Sequence, residues 1–98
     1  MSEIPGFKKT LDEKYKLHKA KNNDYAGVKD PYKNFRLCET LGVCSIEQGI
    51  LVRISDKLSR VTTLLKSDIK VKDEKITDTL LDMSNYIDIL KCYLEHNN

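Results

Sequence analysis

Two stretches of this sequence place apolar residues three and four positions apart, the spacing that lays a stripe along one side of an α-helix. The first stripe consists of Leu51, Ile54, Leu58, Val61 and Leu65. The second consists of Ile76, Leu80, Met83, Ile87, Leu90 and Leu94. Because such stripes pack along a partner helix, the pattern predicts an all-α fold built on two long helices.

Local signals mark the ends of these helices. Ser45 and Gln48 fit a capping box, in which the serine hydroxyl and the glutamine side chain each accept a backbone N–H at the start of a helix. We therefore expect the first long helix, the Ser45 helix, to run to about Ser67. Asp73 is predicted to cap the second, the Asp73 helix, and residues 96–98 are expected to fray.

Two more helices are predicted before this pair. After Pro5, helical spacing is kept by Phe7, Leu11, Tyr15 and His18. A helix is therefore expected from Pro5 to about Lys21, with the proline in its first turn. Turn-forming residues then predict a loop over 22–31, and a short helix from Tyr32 to about Leu41 that stops at Gly42. The prediction is a single domain, residues 1–98 with a core of about 5–95, folded as a compact bundle of three main helices and one short helix.

The chain is also expected to form a homo-oligomer. Its 98 residues bury a comparatively small fraction of their surface when they fold alone. The Asp73 helix has a second apolar side beyond its stripe, made of Leu81, Tyr86, Ile89, Cys92 and Tyr93. One partner helix cannot cover both sides, so we expect copies of the chain to assemble through the stripes of the two long helices.

Composition narrows the class of protein. The chain is 40% hydrophobic and 33% charged, which is too hydrophobic for a disordered chain and too interrupted by charge for a membrane span. Its first residues lack the basic and then apolar pattern of a secretory signal, so we expect a cytoplasmic protein with no membrane partner. The chain has 17 basic and 15 acidic residues and a net charge of +2. This balance is a poor basis for binding nucleic acid by neutralising its phosphates, so no nucleic-acid partner is expected.

Two further sets of residues have structural interpretations. Four lysines of the first helix are interpreted as its solvated side: Lys14, Lys16, Lys19 and Lys21. The three cysteines are Cys38, Cys44 and Cys92. They are odd in number and contain no CxxC pair, which favours reduced core thiols over disulfides or a cysteine zinc site.

Charged residues on the two long helices are the candidates for function. Asp78 and Asp82 lie one turn apart on the second apolar side of the Asp73 helix, away from its predicted water-facing side. That water-facing side comprises Thr77, Ser84, Asp88, Lys91 and Glu95. Carboxylates among apolar neighbours need a cation or several donors to stay ionised. The Ser45 helix offers cations on one side, which carries Arg53, Asp56, Lys57 and Arg60.

Two interpretations of these charges remain open. In the first, Asp78 and Asp82 form salt bridges with Lys57 and Arg60 between packed helices. In the second, the two aspartates hold Mg²⁺ or Mn²⁺ in a pocket whose opposite wall, with Arg53, Lys57 and Arg60, binds phosphate groups. A nucleotide with its metal requires the second arrangement. His18 is either a base in that pocket or a packed core residue.

Four segments of the chain form a distinctive set: KNNDYA at 21–26, DPYKNFR at 30–36, GILVRISDKLSR at 49–60 and DEKITDTLLDMSNY at 73–86. In their order and spacing they resemble a family of small phage and bacterial proteins called the nucleotide modification associated domain. The resemblance covers about residues 7–94. It implies a role in nucleotide metabolism in a bacterial or phage-infected cell, with a small-molecule nucleotide as the ligand.

The chain also resembles, more distantly, the all-α nucleoside triphosphate pyrophosphatases of the MazG and dimeric dUTPase type. These enzymes hold magnesium with helical acidic residues and hydrolyse the α–β phosphate linkage. Their pattern is a Glu-x-x-Glu pair on one helix and a Glu-x-x-Asp pair on the next. Here the helices offer Asp56 beside Lys57, and Asp78 and Asp82 four positions apart. The incomplete acidic set favours nucleotide binding over hydrolysis, because cationic side chains can hold phosphates without a metal.

The remaining candidates are expected to contact the nucleotide itself. They are Asp24, Tyr25, Asn34, Arg36, Asp56, Asn85 and Tyr86. Tyr25 could stack on a base and Asp24 could read its edge, although the same two residues also suit a capped turn. Asn34 and Arg36 suit contacts with sugar or phosphate.

The leading functional prediction is a nucleotide-binding protein, with Mg²⁺- or Mn²⁺-dependent nucleoside triphosphate pyrophosphohydrolysis as the reaction that the distant resemblance implies. An alternative is a non-catalytic phage accessory protein that binds a nucleotide signal or docks onto a host or viral enzyme. A third hypothesis is a structural oligomer, which predicts closed ion pairs and no cavity between them.

Overall fold

The computed structural model of the chain describes residues 2–21, 32–66 and 73–96. Within these ranges the chain forms four helices and no strand: α1 (Phe7–Lys21), α2 (Lys33–Thr40), α3 (Ile46–Lys66) and α4 (Asp73–His96). The prediction of an all-α fold with three main helices and one short helix is confirmed. The predicted loop over 22–31 and the side chain of Asp73 lie outside what the structure describes.

Two of the predicted helix boundaries have the expected hydrogen bonds. The Ser45 hydroxyl accepts the Gln48 N–H at 3.1 Å, and the Gln48 side-chain oxygen accepts the Ser45 N–H at 3.0 Å, which is the reciprocal pair of a capping box. Gly42 has a φ of +74°, and its N–H reaches the Glu39 carbonyl at 3.0 Å. This left-handed residue ends α2 as predicted. Pro5, in contrast, lies in the turn before α1 rather than inside its first turn.

Helices α3 and α4 form an antiparallel pair at the centre of the fold. From Lys66 to Asp73 there are seven residue steps, which reach at most about 25 Å. The 21 residues of α3 extend about 31 Å, so α4 has to run back along α3. The buried apolar side chains of the described residues all come from α3, and they are Ile46, Ile50 and Val61.

The two apolar stripes are only partly buried by this pairing. Val61 is buried, but every seventh position of the stripes is exposed. These residues are Leu51, Leu58 and Leu65 on α3, and Leu80, Ile87 and Leu94 on α4. Exposed fractions in this set run from 41% for Leu80 to 68% for Leu65. We call the six residues the leucine face.

Helices α1 and α2 cover the other side of the pair, where α1 packs on α4 and α2 packs on α3. Lys14 of α1 lies 2.5 Å from the Asp88 carboxylate and 3.1 Å from the Ser84 hydroxyl. Part of the predicted water-facing side of α4 is therefore an interhelical contact. The prediction was wrong there because periodicity along α4 does not reveal where α1 packs. In the part of the chain that the structure describes, no helix has the length and apolar character needed to cross a membrane.

Candidate functional site

A cavity of about 620 Å³ lies where the four helices meet. We call it the polar cavity. Its charged and amide side chains are Lys21, Asn34, Arg53, Asp56, Lys57, Asp82 and Asn85. Phe35 and Tyr86 add aromatic surface to the wall. All of the charged residues except Lys21 come from the helices on which the sequence placed the candidate site.

The short helix α2 closes one side of the polar cavity by packing on both long helices. The rings of Phe35 and Tyr86 meet edge to face with centroids 6.2 Å apart, and those of Tyr32 and Tyr93 do so at 5.1 Å. Gly49 of α3 is buried, and a β-carbon there would lie 3.7 Å from the Phe35 ring. The Phe35 ring therefore packs close to the backbone of α3, at a distance where a β-carbon would make an ordinary van der Waals contact, and the neighbouring Asn34 lines the cavity.

Asp82 lies at the bottom of the polar cavity between two lysines. Lys21, the last residue of α1, donates to its Oδ1 at 2.5 Å, and Lys57 of α3 lies 3.3 Å from its Oδ2. The Asp82 side chain is only 20% exposed. Burial alone would raise the pKa of this carboxyl, but the hydrogen bonds and charges of Lys21 and then Lys57 lower its pKa below the ordinary value. Asp82 is therefore ionised at neutral pH.

The described side chains that line the polar cavity carry an excess of one positive charge. Three cations, Lys21, Arg53 and Lys57, face two carboxylates, Asp56 and Asp82, so the sum is 3 − 2 = +1. Arg53 is exposed and forms no ion pair with another described residue. An anion entering the cavity would thus meet a guanidinium for which no carboxylate of the described residues competes.

Asn85 is the most enclosed polar side chain on the cavity wall, with an exposed fraction of 7%. No described residue hydrogen-bonds to its side-chain amide. Fully enclosed side-chain nitrogen and oxygen atoms among the described residues all have partners, so the Asn85 amide keeps an open side toward the space it lines. An asparagine amide that is open toward a cavity can donate to and accept from a ligand that enters it.

A second cavity, of about 360 Å³, adjoins the first. We call it the apolar cavity, and it lies between α1 and α4. Its apolar and aromatic lining consists of Leu11, Tyr15, Tyr32, Ile89 and Cys92. Both cavities are lined by His18, Asn85 and Ile89, so these three residues form their common wall.

The structure brings together most of the site residues expected from the sequence. Asn34, Arg53, Asp56, Lys57, Asp82, Asn85 and Tyr86 line the polar cavity. Arg36, Arg60 and Asp78 do not line it, and all three are exposed. Asp24 and Tyr25 lie outside the described residues.

Sequence reasoning missed Lys21, which was interpreted as part of a solvated lysine cluster. Lys14, His18 and Lys21 are spaced four and three positions apart, so they share one side of α1. That spacing, with a histidine between two lysines, could have indicated that this side of α1 faces other helices rather than solvent. Cys92 was expected in the core but is exposed, whereas Cys38 and Cys44 are half-buried, and all three are free thiols.

The described residues do not gather a set of metal ligands. In residues 2–21, 32–66 and 73–96, no three histidine, cysteine, aspartate or glutamate side chains come close enough together to hold a metal ion. Asp82 is held by two lysines, and Asp78 does not share its cavity. These residues therefore do not fit a metal site, and Mg²⁺ or Mn²⁺ stays a prediction from the sequence.

Comparison of the chain with models of protein families, with curated proteins and with solved structures finds no match. The resemblance to the nucleotide modification associated domain accordingly stays a prediction, and the cavity and its side chains are the structural indication of function.

Proposed function

We propose that this chain binds a phosphate-bearing small molecule of the nucleotide class in the polar cavity. The observation that carries the proposal is that Lys21, Arg53 and Lys57, from two helices, converge on one cavity of about 620 Å³. Small-molecule sites typically have volumes of roughly 300–1,000 Å³ with a few convergent polar groups. The polar cavity has both properties.

The three cations have donors to spare for a phosphate. Each lysine ammonium group carries three N–H donors. Asp82 accepts from Lys21 and lies beside Lys57, and these contacts leave N–H donors of both lysines available. The guanidinium of Arg53 offers a planar pair of donors that matches two phosphate oxygens. Asp82 thus acts as a positioning residue that holds two lysines at the cavity, while Arg53 supplies charge that no carboxylate of the described residues neutralises.

Aromatic and amide groups on the same wall favour a nucleotide over a bare phosphate. Tyr86 presents a ring surface, and Asn34 and Asn85 offer both donors and acceptors. These groups suit a sugar and a heterocyclic base, which carry donors and acceptors of their own. The resemblance of the sequence to a family tied to nucleotide metabolism points to the same ligand class.

Binding is proposed ahead of hydrolysis. Pyrophosphohydrolysis with Mg²⁺ or Mn²⁺ is the reaction implied by the distant resemblance, and it requires several carboxylates around the metal. The described wall of the polar cavity has two, Asp56 and Asp82, and the second is held by lysines. A non-catalytic protein that captures a nucleotide is the simpler consequence of this lining.

Calorimetric titration of the protein with pyrophosphate and with deoxynucleoside mono-, di- and triphosphates, each with and without Mg²⁺ or Mn²⁺, tests the proposal. We expect binding of the di- and triphosphates without metal. Pyrophosphate release measured in the same samples decides whether a reaction follows. Absence of binding to every one of these compounds would show the proposal to be wrong.

Two arginines of α3 provide a matched pair of variants. Arg53 lines the polar cavity, whereas Arg60, two turns later on a similar side of the helix, does not. Arg53→Ala is expected to weaken binding of a diphosphate about tenfold, which corresponds to about 1.4 kcal/mol. Arg60→Ala should change the affinity less than twofold. Equal effects of the two substitutions would mean that phosphates bind elsewhere.

The leucine face supports a second proposal, that two copies of the chain associate through it. In the described part of the chain, the only buried apolar side chains are Ile46, Ile50 and Val61, which is a thin core for a stable monomer. The exposed rows repeat every seven residues on both long helices, as in helical bundles whose helices pack along each other.

Both rows lie on the same side of the α3 and α4 pair. Arg53 and Asp56 of α3 line the polar cavity together with Asp82 and Asn85 of α4, so these flanks of the two helices coincide. Successive residues are about 100° apart around a helix, so the leucine row of each helix lies opposite the residues that line the cavity. Because the cavity residues of both helices face one side of the pair, the two leucine rows share the other side. The resulting surface is roughly 30 Å long and roughly 18 Å wide. Because the side chains make this surface uneven, its solvent-accessible area approaches the area that each partner of a stable interface buries, which is about 800 Å².

Analytical ultracentrifugation at micromolar concentration tests the dimer. The unmodified chain is expected to sediment as a dimer, and Leu58→Glu with Ile87→Glu is expected to raise the dimer dissociation constant at least a hundredfold. Leu37 on α2 is also exposed, at 56%, but lies outside the leucine face, so Leu37→Glu is the matched control and should leave the dimer intact. A monomeric unmodified chain, or a dimer that survives the double substitution, would rule out this interface.

A further inference from the structure

The apolar cavity has the character of a subsite for the uncharged, planar part of a ligand. Tyr15 and Tyr32 contribute rings to it, and Leu11 and Ile89 contribute aliphatic surface. Aromatic and aliphatic side chains favour flat groups such as a heterocyclic base, which stacks on a ring and buries apolar area. Burial raises the pKa of the Tyr32 hydroxyl, so this ring stays uncharged at neutral pH.

The charged groups at the rim of the apolar cavity neutralise each other. Lys14 and Asp88 both line it, and their side chains form a salt bridge of 2.5 Å. The Lys14 ammonium also donates to Ser84 at 3.1 Å. The apolar cavity therefore lacks the excess positive charge of the polar cavity, and a phosphate group gains more in the polar cavity.

Asn85 stands in the wall that the two cavities share. The residue as a whole is 7% exposed, and no described residue hydrogen-bonds to its side chain, whose amide atoms keep some accessible surface. An asparagine amide offers two N–H donors and one oxygen acceptor, which can pair with adjacent acceptor and donor atoms on the edge of a base. Its position fits a group that reads a ligand spanning both cavities.

We infer that the ligand lies across the shared wall, with its phosphate groups in the polar cavity, its base in the apolar cavity between α1 and α4, and the Asn85 amide hydrogen-bonded to the base edge. This inference rests on the proposed function, because it takes a nucleotide as the ligand. In this arrangement the affinity for a nucleotide depends on which base it carries, and the apolar cavity selects that base.

Filling the apolar cavity separates its contribution from that of the phosphates. Cys92 lines the apolar cavity and does not line the polar one, so Cys92→Phe places a ring where the base would lie. Lys91, the neighbouring residue on α4, lines neither cavity and is exposed, so Lys91→Phe is the matched control. Leu11→Phe fills the apolar cavity from α1 and serves as a second variant should Cys92→Phe fail to fold.

The probes are inorganic pyrophosphate and the deoxynucleoside diphosphates, titrated calorimetrically against each folded variant. The unmodified chain is expected to bind at least one deoxynucleoside diphosphate ten times or more tightly than pyrophosphate. Cys92→Phe or Leu11→Phe should weaken that nucleotide at least tenfold while changing pyrophosphate less than twofold, and Lys91→Phe should change neither.

Nucleotide binding that is no tighter than pyrophosphate binding, or that resists both fillings of the apolar cavity, would overturn this inference and leave the proposed function standing. Failure of the unmodified chain to bind any of the probes would overturn both.

Discussion

Lys21 and Asp82 are 61 positions apart in the chain, and the Lys21 ammonium donates a hydrogen bond of 2.5 Å to the Asp82 carboxylate. This contact ties the C-terminal end of α1 to the middle of α4. Lys57 completes the group from α3 at 3.3 Å, so three helices meet at one carboxylate. The same two lysines are cations of the polar cavity, which links the stability of the bundle to the ability of the cavity to hold an anion.

Replacing Asp82 by asparagine is expected to lower stability and to tighten anion binding. Loss of the charge leaves Lys21 and Lys57 near each other without a counter-charge, which should lower the free energy of unfolding by about 1–2 kcal/mol. The same loss raises the net charge of the polar cavity, so pyrophosphate should bind more tightly. Urea unfolding and calorimetry check the two effects. A variant that melts higher and loses ligand binding would instead support Asp82 as a metal ligand.

The stabilising effect of Asp82 is expected to depend on pH. Its folded pKa is below the ordinary value, despite the opposing effect of burial, because Lys21 and Lys57 favour the ionised form. Such a group contributes its full stability above its unfolded pKa of about 4 and loses it as the pH falls through the lower folded pKa. The difference in unfolding free energy between the unmodified chain and Asp82→Asn should therefore shrink below about pH 4.

A matched control for this pH dependence is Glu95→Gln. Glu95 pairs with Lys91 at 2.6 Å on the exposed side of α4, and its pKa is lowered by that hydrogen bond and charge. Because solvent screens an exposed pair, unfolding curves of this variant should stay close to those of the unmodified chain from neutral to acidic pH. A large effect at Glu95 would show that surface charge, rather than the Asp82 contacts, governs acid stability.

Helix ends were predictable because the signals that set them are local. Ser45 with Gln48, and Gly42 after α2, determine hydrogen bonds within a few residues of each other, and such signals act before any tertiary packing. The side of α3 that carries Arg53 and Lys57 was predictable for the same reason, since helical periodicity alone places them together.

Contacts between helices were less predictable. The Lys21 and Asp82 pair depends on the angle at which α1 crosses α4, which no local pattern specifies. The extent of the polar cavity depends on how far α2 reaches along the long helices, and this places Arg60 and Asp78 outside it. The apolar cavity likewise arises between α1 and α4 from two sets of residues distant in sequence.

The capping box at the start of α3 is expected to contribute measurably to stability. Ser45→Ala removes the acceptor of the Gln48 N–H, a bond of 3.1 Å, and should lower the free energy of unfolding by about 1 kcal/mol. Ser55→Ala, at an exposed position inside α3, is the control and should be neutral or slightly stabilising, because alanine is the better helix former. Equal destabilisation by both substitutions would mean that the cap contributes nothing specific.

Replacing Asn85 by leucine separates a structural role of this residue from a ligand-binding one. If the Asn85 amide served the fold, its removal would leave partners unpaired and lower stability. Among the described residues its side chain has no such partner, and the residue is 7% exposed. Leucine has the same branched shape and the same number of side-chain heavy atoms, so it should raise the unfolding free energy of the ligand-free protein by about 1 kcal/mol. Nucleotide affinity should fall at least tenfold in the same variant, because the base edge loses its hydrogen bonds, whereas pyrophosphate affinity should be almost unchanged. Thermal unfolding with and without nucleotide measures both effects on one sample. A lower melting temperature together with unchanged nucleotide affinity would assign Asn85 to the fold and remove it from the site.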